Sequence, residues 1–150
     1  MRIWVDADAS PRGVKEILFR TATRRHIKVT LVANQPMQVP RSPFISTLQV
    51  GAGFDVADHK IVELMEAGDL VITADIPLAA AVVEKGGVGL SPRGDEFTPE
   101  NIGERLGMRD FMTELRDTGT EIGGGPPPFS KRDHKAFADL LDRTLARLLR

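Results

Sequence analysis

Two aspartates, Asp6 and Asp8, stand one residue apart where the first apolar segment (residues 3–5) ends. Aspartate is a poor strand residue, and neighbouring carboxylates repel each other unless a positive charge lies between them. In an open α/β sheet, ligands bind beyond the carboxyl ends of the strands, and carboxylate oxygens there suit a hard divalent cation. The pair therefore indicates cation binding, or a nucleophile with its acid–base partner in phosphoryl transfer.

Further aspartates, Asp55, Asp58 and Asp75, follow later apolar segments or open helical ones. If the strands are neighbours, we expect Asp6, Asp58 and Asp75 to converge and to hold Mg²⁺ or Mn²⁺. The structural alternatives are helix N-caps for Asp58 and Asp75 and a turn for Asp55. Asp6 is the hardest to explain structurally, because a carboxylate at the end of a buried strand needs a partner.

The elements that must position these side chains alternate between strand and helix, which predicts α/β units around a mainly parallel sheet. Ser10 is expected to cap a first helix that begins at Pro11, and further helices are expected at about Asp58–Ala67 and from Pro77 through Val83. The predicted strands are residues 3–5, 27–33, 45–50, 69–73 and 88–90.

The C-terminal third has a different character. Residues 98–118 are predicted helical and interrupted at Gly103 and Gly107, and residues 123–128 predict a Gly/Pro linker. Ser130 is expected to cap a terminal helix over residues 131–149, whose apolar stripe predicts packing in the core or in a homodimer. We therefore expect one domain over residues 1–150 with a C-terminal helical extension.

Composition sets limits on the class of protein. The chain has 150 residues, 41% hydrophobic and 27% charged, with a net charge of −1, as in an ordinary soluble domain. Residues 11–28 are strongly basic, whereas residues 54–75 are strongly acidic. The absence of cysteine excludes disulfides and thiolate metal sites, and no apolar segment approaches the length of a membrane span. A cytoplasmic location is the default expectation, since the N-terminus is too short and acidic for a signal peptide.

Several segments together resemble the YaiI/YqxD family of small bacterial proteins. They are residues 3–9 (IWVDADA), 31–34 (LVAN), 53–58 (GFDVAD), 69–79 (DLVITADIPLA), 93–94, 101–102, 109–110 and 124–126, the last just before Phe129-Ser130. The resemblance covers nearly the whole chain. It implies a PIN-like three-layer α/β/α fold, in which metal-dependent nucleases hold cations with acids at strand ends.

Residue by residue, the resemblance matches Asp6 to the acid after the first strand, Asp58 to the acid opening the mid-chain helix and Asp75 to the acid of a Thr-x-Asp motif. PIN nucleases tend to supply a further acid, often a glutamate from a helix in the first half of the chain. Glu16 is the candidate in residues 10–54 but comes early for this match, and Asp8 and Asp55 are the alternatives. The leading hypothesis is thus a Mg²⁺- or Mn²⁺-dependent nuclease acting on RNA or DNA, with Asp8 as a further ligand or the base for the attacking water. The candidate backbone-phosphate contacts are Lys15, Arg20, Arg24 and Arg132.

Two alternatives remain open at this point. One is a nucleic-acid-binding or interaction protein with a vestigial acidic site. The other is a haloacid-dehalogenase-type phosphatase that uses Asp6 and Asp8, although the sequence predicts a helix directly after this motif, where that class inserts a flap. No membrane partner is expected.

Overall fold

The computed structural model describes residues 1–53, 55–117 and 129–149. Its strands are β1 (Ile3–Asp6), β2 (Val29–Ala33), β3 (Ile45–Gln49), β4 (Leu70–Ile72), β5 (Val88–Leu90) and β6 (Glu96–Phe97). Its α-helices are α1 (Arg12–Arg25), α2 (Val56–Leu64), α3 (Ile76–Glu84), α4 (Ile102–Asp117) and α5 (Lys131–Leu148). Among these described helices, none combines the length and apolarity needed to cross a membrane.

The strands form one sheet in the order β3-β2-β1-β4-β5-β6, parallel except for β6. Val5 of β1 lies between Leu31 of β2 and Ile72 of β4. From β1, the chain first builds outward through β2 and β3 and then crosses to β4 on the other side. The strand order therefore reverses between β1 and β4, which is where open α/β sheets form a crevice at their carboxyl edge.

Helices cover both faces of the sheet, so the predicted three-layer α/β/α arrangement is confirmed. Alternate residues of β1 point to opposite faces. Ile3 and Val5 belong to a core that includes α1 and α5, whereas Trp4 belongs to a core that includes α2 and α3. The C-terminal helix belongs to the first of these cores, since Phe137 and Leu141 are fully buried in it.

Helix α1 begins one residue later than predicted, and the predicted cap at Ser10 is wrong. A 3-10 turn (Ala7–Ala9) follows β1, and Pro11 occupies the N-cap position without a side-chain bond. The Ser10 hydroxyl instead donates to the backbone carbonyl of Asp6 at 2.9 Å, because that acceptor lies one turn back within the buried connection. This bond fixes the backbone that carries Asp6.

The structure also tests two predictions about the second half of the chain, a break in α4 and a cap at Ser130. Helix α4 continues through Gly103 and Gly107, so the predicted interruption is wrong: helix geometry tolerates glycine at a modest cost in free energy. The cap at Ser130 is confirmed, since its hydroxyl accepts from the Asp133 amide while the Asp133 carboxylate accepts from the Ser130 amide. The predicted linker at residues 123–128 lies outside the described residues.

Candidate metal centre

Three carboxylates come together at the carboxyl edge of the sheet, those of Asp55, Asp58 and Asp75. One oxygen from each lies within 4.8 Å of the others, and all three residues are half-buried. Asp55 occupies the N-cap of α2, Asp58 its first turn, and Asp75 the N-cap of α3. Two helix starts therefore supply the cluster.

Asp75 has a structural bond as well as a place in the cluster. Its Oδ1 accepts from the Leu78 amide at 2.9 Å, so the cap predicted as the structural alternative is present. Its own amide donates to Thr73 Oγ1 at 3.0 Å. Because a carboxylate has two oxygens with several acceptor positions, capping leaves Asp75 able to bind a ligand as well.

Asp55 joins the cluster through an unusual backbone conformation. Its φ of 62° and ψ of 12° lie in the left-handed region, which aspartate adopts more readily than most residues. The predicted turn is therefore present, yet the side chain makes no cap bond. Such strained backbone is often found at functional sites.

The cluster raises the pKa of its central carboxylate. Burial is the main cause that lifts the pKa of Asp58 to about 7, and the charges of Asp75, Asp6 and Asp55 add to it. Burial also raises the pKa of Asp6, opposed by the Thr73 hydrogen bond and reinforced by Asp75 and Asp8. A bound cation would reverse this repulsion.

Asp6 lies behind the cluster rather than within it. It is only 6% exposed, and its Oδ2 accepts from the Thr73 hydroxyl at 3.0 Å. Since Thr73 Oγ1 also accepts from the Asp75 amide, a hydrogen-bonded chain connects Asp6 to Asp75 across neighbouring strands. Of the expected set Asp6, Asp58 and Asp75, the structure brings the last two together with Asp55 and links Asp6 to them through Thr73.

Asp8 is directed elsewhere in the structure. Its Oδ2 accepts from the Asn34 amide at 2.9 Å, and the residue is exposed. This bond ties the turn after β1 to the end of β2. Asp8 thus stands at the same edge of the sheet as the three-carboxylate cluster but outside it.

The cluster faces a cleft of about 260 Å³, whose lining also includes His59 and Arg109. Arg109 comes from α4, and its ion pair with Asp110 at 3.4 Å joins two exposed side chains, so it is worth little. Arg109 belongs to one of the segments that resemble the YaiI/YqxD family, but it was not predicted as a site residue, because only the packing of α4 against α3 brings it to the cleft. The cleft is thus lined by one positive group as well as by the three carboxylates.

The basic residues predicted to contact phosphates lie in the opposite layer of the fold. Lys15, Arg20 and Arg24 are on α1, and Arg132 is on α5. Helix α1 runs away from the carboxyl edge, so Arg24 lies about 18 Å along it from the first helical residue. Arg24 pairs with Asp142 at 3.5 Å. None of these four residues lines the cleft.

The acidic region of the sequence includes one carboxylate with a purely structural environment. Buried Asp69, just before β4, accepts from the Trp4 indole at 3.0 Å and from the amides of Arg2 and Glu66 at 3.0 and 2.9 Å. It lies at the opposite edge of the sheet from Asp75. The acidic residues of segment 54–75 therefore do not form one cluster. Asp69 lies at one edge of the sheet, and the cluster of Asp55, Asp58 and Asp75 lies at the other.

The donor set fits a hard divalent cation. Carboxylate oxygens at this spacing, in a half-buried and open cleft, are typical ligands of Mg²⁺ and Mn²⁺, which also retain waters and share phosphate oxygens. Among the lining residues only His59 offers a side-chain nitrogen that can bind a metal, since the guanidinium of Arg109 stays protonated and has no lone pair to give. The arrangement can hold one cation and a small anion beside it.

Comparison with known proteins adds a family but no activity. Residues 4–147 match the model described as "Uncharacterized BCR, YaiI/YqxD family". The chain is 61% identical to a UPF0178 protein of Maridesulfovibrio salexigens over 149 residues, covering 99% of this chain and 98% of the relative. It is 60% identical to a UPF0178 protein of Cellvibrio japonicus over 147 residues, covering 98% and 97%. No solved structure matches significantly.

Proposed function

The chain belongs to the YaiI/YqxD family, and we propose that it is a PIN-like nuclease that hydrolyses phosphodiesters in RNA or DNA with Mg²⁺ or Mn²⁺. The observation that supports this most is the cluster of Asp55, Asp58 and Asp75 beside the β1–β4 crossover. The raised pKa of Asp58 adds support, because carboxylates this close favour a cation between them.

Each residue of the site has a role in this proposal. Asp55, Asp58 and Asp75 hold the cation, which when bound would neutralise phosphate charge and activate water. Asp6 positions Asp75 through Thr73. Arg109 donates to a phosphate oxygen from the facing wall, where its planar guanidinium suits such an acceptor.

Asp8 was predicted as either a ligand or the base for the attacking water. Its position outside the cluster but at the same edge favours the second role. Its bond to the Asn34 amide would orient the carboxylate while leaving the other oxygen to accept a proton.

Cleavage of labelled single-stranded RNA and DNA in Mn²⁺ tests the proposal. Asp6→Asn and Asp58→Asn should each lower turnover by about 100-fold or more, since both remove charge from the site without changing its shape. Asp139→Asn on α5 is the matched control, because Asp139 is exposed and pairs with Lys135 away from the cleft. We expect it to cleave like the wild type.

Turnover that survives EDTA, or that is equal in wild type and both site variants, would contradict the nuclease proposal. Separately purified preparations of each variant, shown by thermal melting to be folded at the assay temperature, exclude loss of fold as the cause of lost cleavage. They also exclude a contaminating nuclease, whose activity would not follow the substitutions.

A non-catalytic nucleic-acid-binding role is the second candidate. This role is favoured by the position of Asp6, which was predicted as a metal ligand. Its carboxylate accepts a hydrogen bond from the Thr73 hydroxyl and lies outside the three-carboxylate cluster. Binding without cleavage would identify it. The phosphatase alternative gains no support, because β1 leads through a three-residue turn almost directly into α1 and leaves no inserted flap.

A further inference from the structure

Charge is segregated between the layers of the fold. Helices α1 and α5 together carry ten lysines and arginines against four acids, a net charge of +6. The whole chain has a net charge of −1, so everything outside these two helices carries −7. A surface of one sign on an otherwise acidic protein attracts a partner of the opposite sign.

The acids of this layer are already neutralised by neighbouring cations. Glu16, Asp133, Asp139 and Asp142 each form an ion pair with an arginine or lysine. By contrast, six cations of the two helices form no ion pair with any described residue. These are Lys15, Arg20, Arg25, Lys131, Arg132 and Arg143. The layer therefore presents uncompensated positive charge.

A groove runs between the two helices. A cavity of about 190 Å³ is lined by Arg20, His134 and the ion pair of Arg24 with Asp142, among others. A wider one of about 530 Å³ is lined by Phe129, Lys131 and the same His134. The two cavities adjoin at His134, and together they are called the groove.

One end of the groove opens at the edge of the sheet that carries the acidic cluster. Helix α1 starts there, directly after β1 and its 3-10 turn. The start of α5 packs against it, since a Cβ added at Gly13 would lie 3.0 Å from His134 Cδ2. A linear ligand lying in the groove would thus be led to that edge.

We propose that the groove between α1 and α5 binds the sugar-phosphate backbone of a single nucleic-acid strand. The inference rests on the proposed function for the choice of a nucleic acid over other polyanions. Recognition is through phosphates, so binding is independent of sequence. Arg12 and Arg24 lie about 18 Å apart along the axis of α1, so the strand must extend over several nucleotides to follow the helix from end to end.

The test is fluorescence anisotropy with labelled ten-nucleotide RNA and DNA in EDTA, over a series of salt concentrations. Without metal, binding reports the groove and not cleavage. Arg20→Gln/Lys131→Gln should reduce the salt slope by about 1.4, because both side chains line the groove without an ion pair to any described residue and each phosphate contact to a single strand contributes about 0.7. At 0.1 M salt this slope difference corresponds to about 25-fold weaker binding, for equal affinity at 1 M.

Arg2→Gln/Arg41→Gln is the matched control. It removes the same charge from two exposed positions that precede β1 and β3 and line neither cavity. We expect wild-type affinity and slope from it. A labelled dinucleotide, too short to span the groove, should bind weakly and equally to all three proteins.

An equal loss of affinity in both double variants would contradict binding in the groove, because the change in net charge alone would then explain it. So would wild-type affinity in Arg20→Gln/Lys131→Gln, or no binding of either nucleic acid by the wild type. Strand binding that depends on the groove, together with no cleavage in Mn²⁺, would instead support the groove and reject the nuclease proposal.

Discussion

At the scale of single residues, the raised pKa of Asp58 allows a test of whether this carboxylate binds a ligand or stabilises the fold. Its pKa of about 7 means that the folded protein holds a proton which the unfolded chain releases near pH 4. Between those values the folded state binds more protons, so metal-free stability falls as pH rises through this window and then levels off. The raised pKa of Asp6 acts in the same direction.

Asp58→Asn should therefore melt at a higher temperature than the wild type at pH 8 without metal, and the difference should shrink at pH 5. Mn²⁺ should raise the melting temperature of the wild type but not of the variant. Thermal melts at both pH values, with EDTA or Mn²⁺, measure this. A variant less stable than the wild type at pH 8 would indicate a structural carboxylate.

Asp69→Asn is the contrasting control for that experiment. Asp69 accepts three hydrogen bonds away from the cleft, and replacing one carboxylate oxygen by an amide removes an acceptor from buried donors. It should lose stability at both pH values while keeping the Mn²⁺-dependent rise in melting temperature.

At the scale of elements, α4 carries Arg109 to the cleft and is the least buried helix of the described chain, with Met108 and Phe111 exposed. Gly107 lies in its interior, where an added Cβ would meet nothing within 4 Å. Gly107→Ala should raise the free energy of unfolding by roughly 0.5–1 kcal/mol, because glycine loses more backbone entropy in a helix than alanine.

Urea unfolding measures this difference, with Gly94→Ala as the contrast. Gly94 has a φ of 94°, and a Cβ there would lie 2.8 Å from the Ala136 side chain. That variant should lose stability. If Gly107→Ala also lost stability, α4 would not be the continuous helix that positions Arg109.

At the scale of the whole molecule, the sequence predicted what periodicity encodes. The mainly parallel sheet follows from alternating apolar segments, and the cap at Ser130 follows from a local pattern, whereas the three-layer α/β/α arrangement was implied by the family resemblance. No local sequence pattern predicted the two-residue strand β6 or the hydrogen bond from Ser10 to the Asp6 carbonyl, because both depend on the tertiary structure.

The candidate site likewise has residues that the sequence predicted together and residues that only the folded chain brings there. Asp58 and Asp75 could be expected together, because strand ends share an edge. The contribution of Asp55 required the left-handed turn before α2, and that of Arg109 required α4 to pack on α3. A homodimer, a cytoplasmic location and the nucleic-acid partner stay predictions.

Crystals grown with Mn²⁺ offer the most direct test of the central claim, that the three-carboxylate cluster binds a divalent cation. The account predicts an anomalous peak within about 2.0–2.3 Å of carboxylate oxygens from Asp58 and Asp75, the range for a hard cation of this kind. The same peak should be missing in Asp58→Asn. No peak at the cluster in the wild type, at Mn²⁺ concentrations that label other carboxylates, would contradict the account.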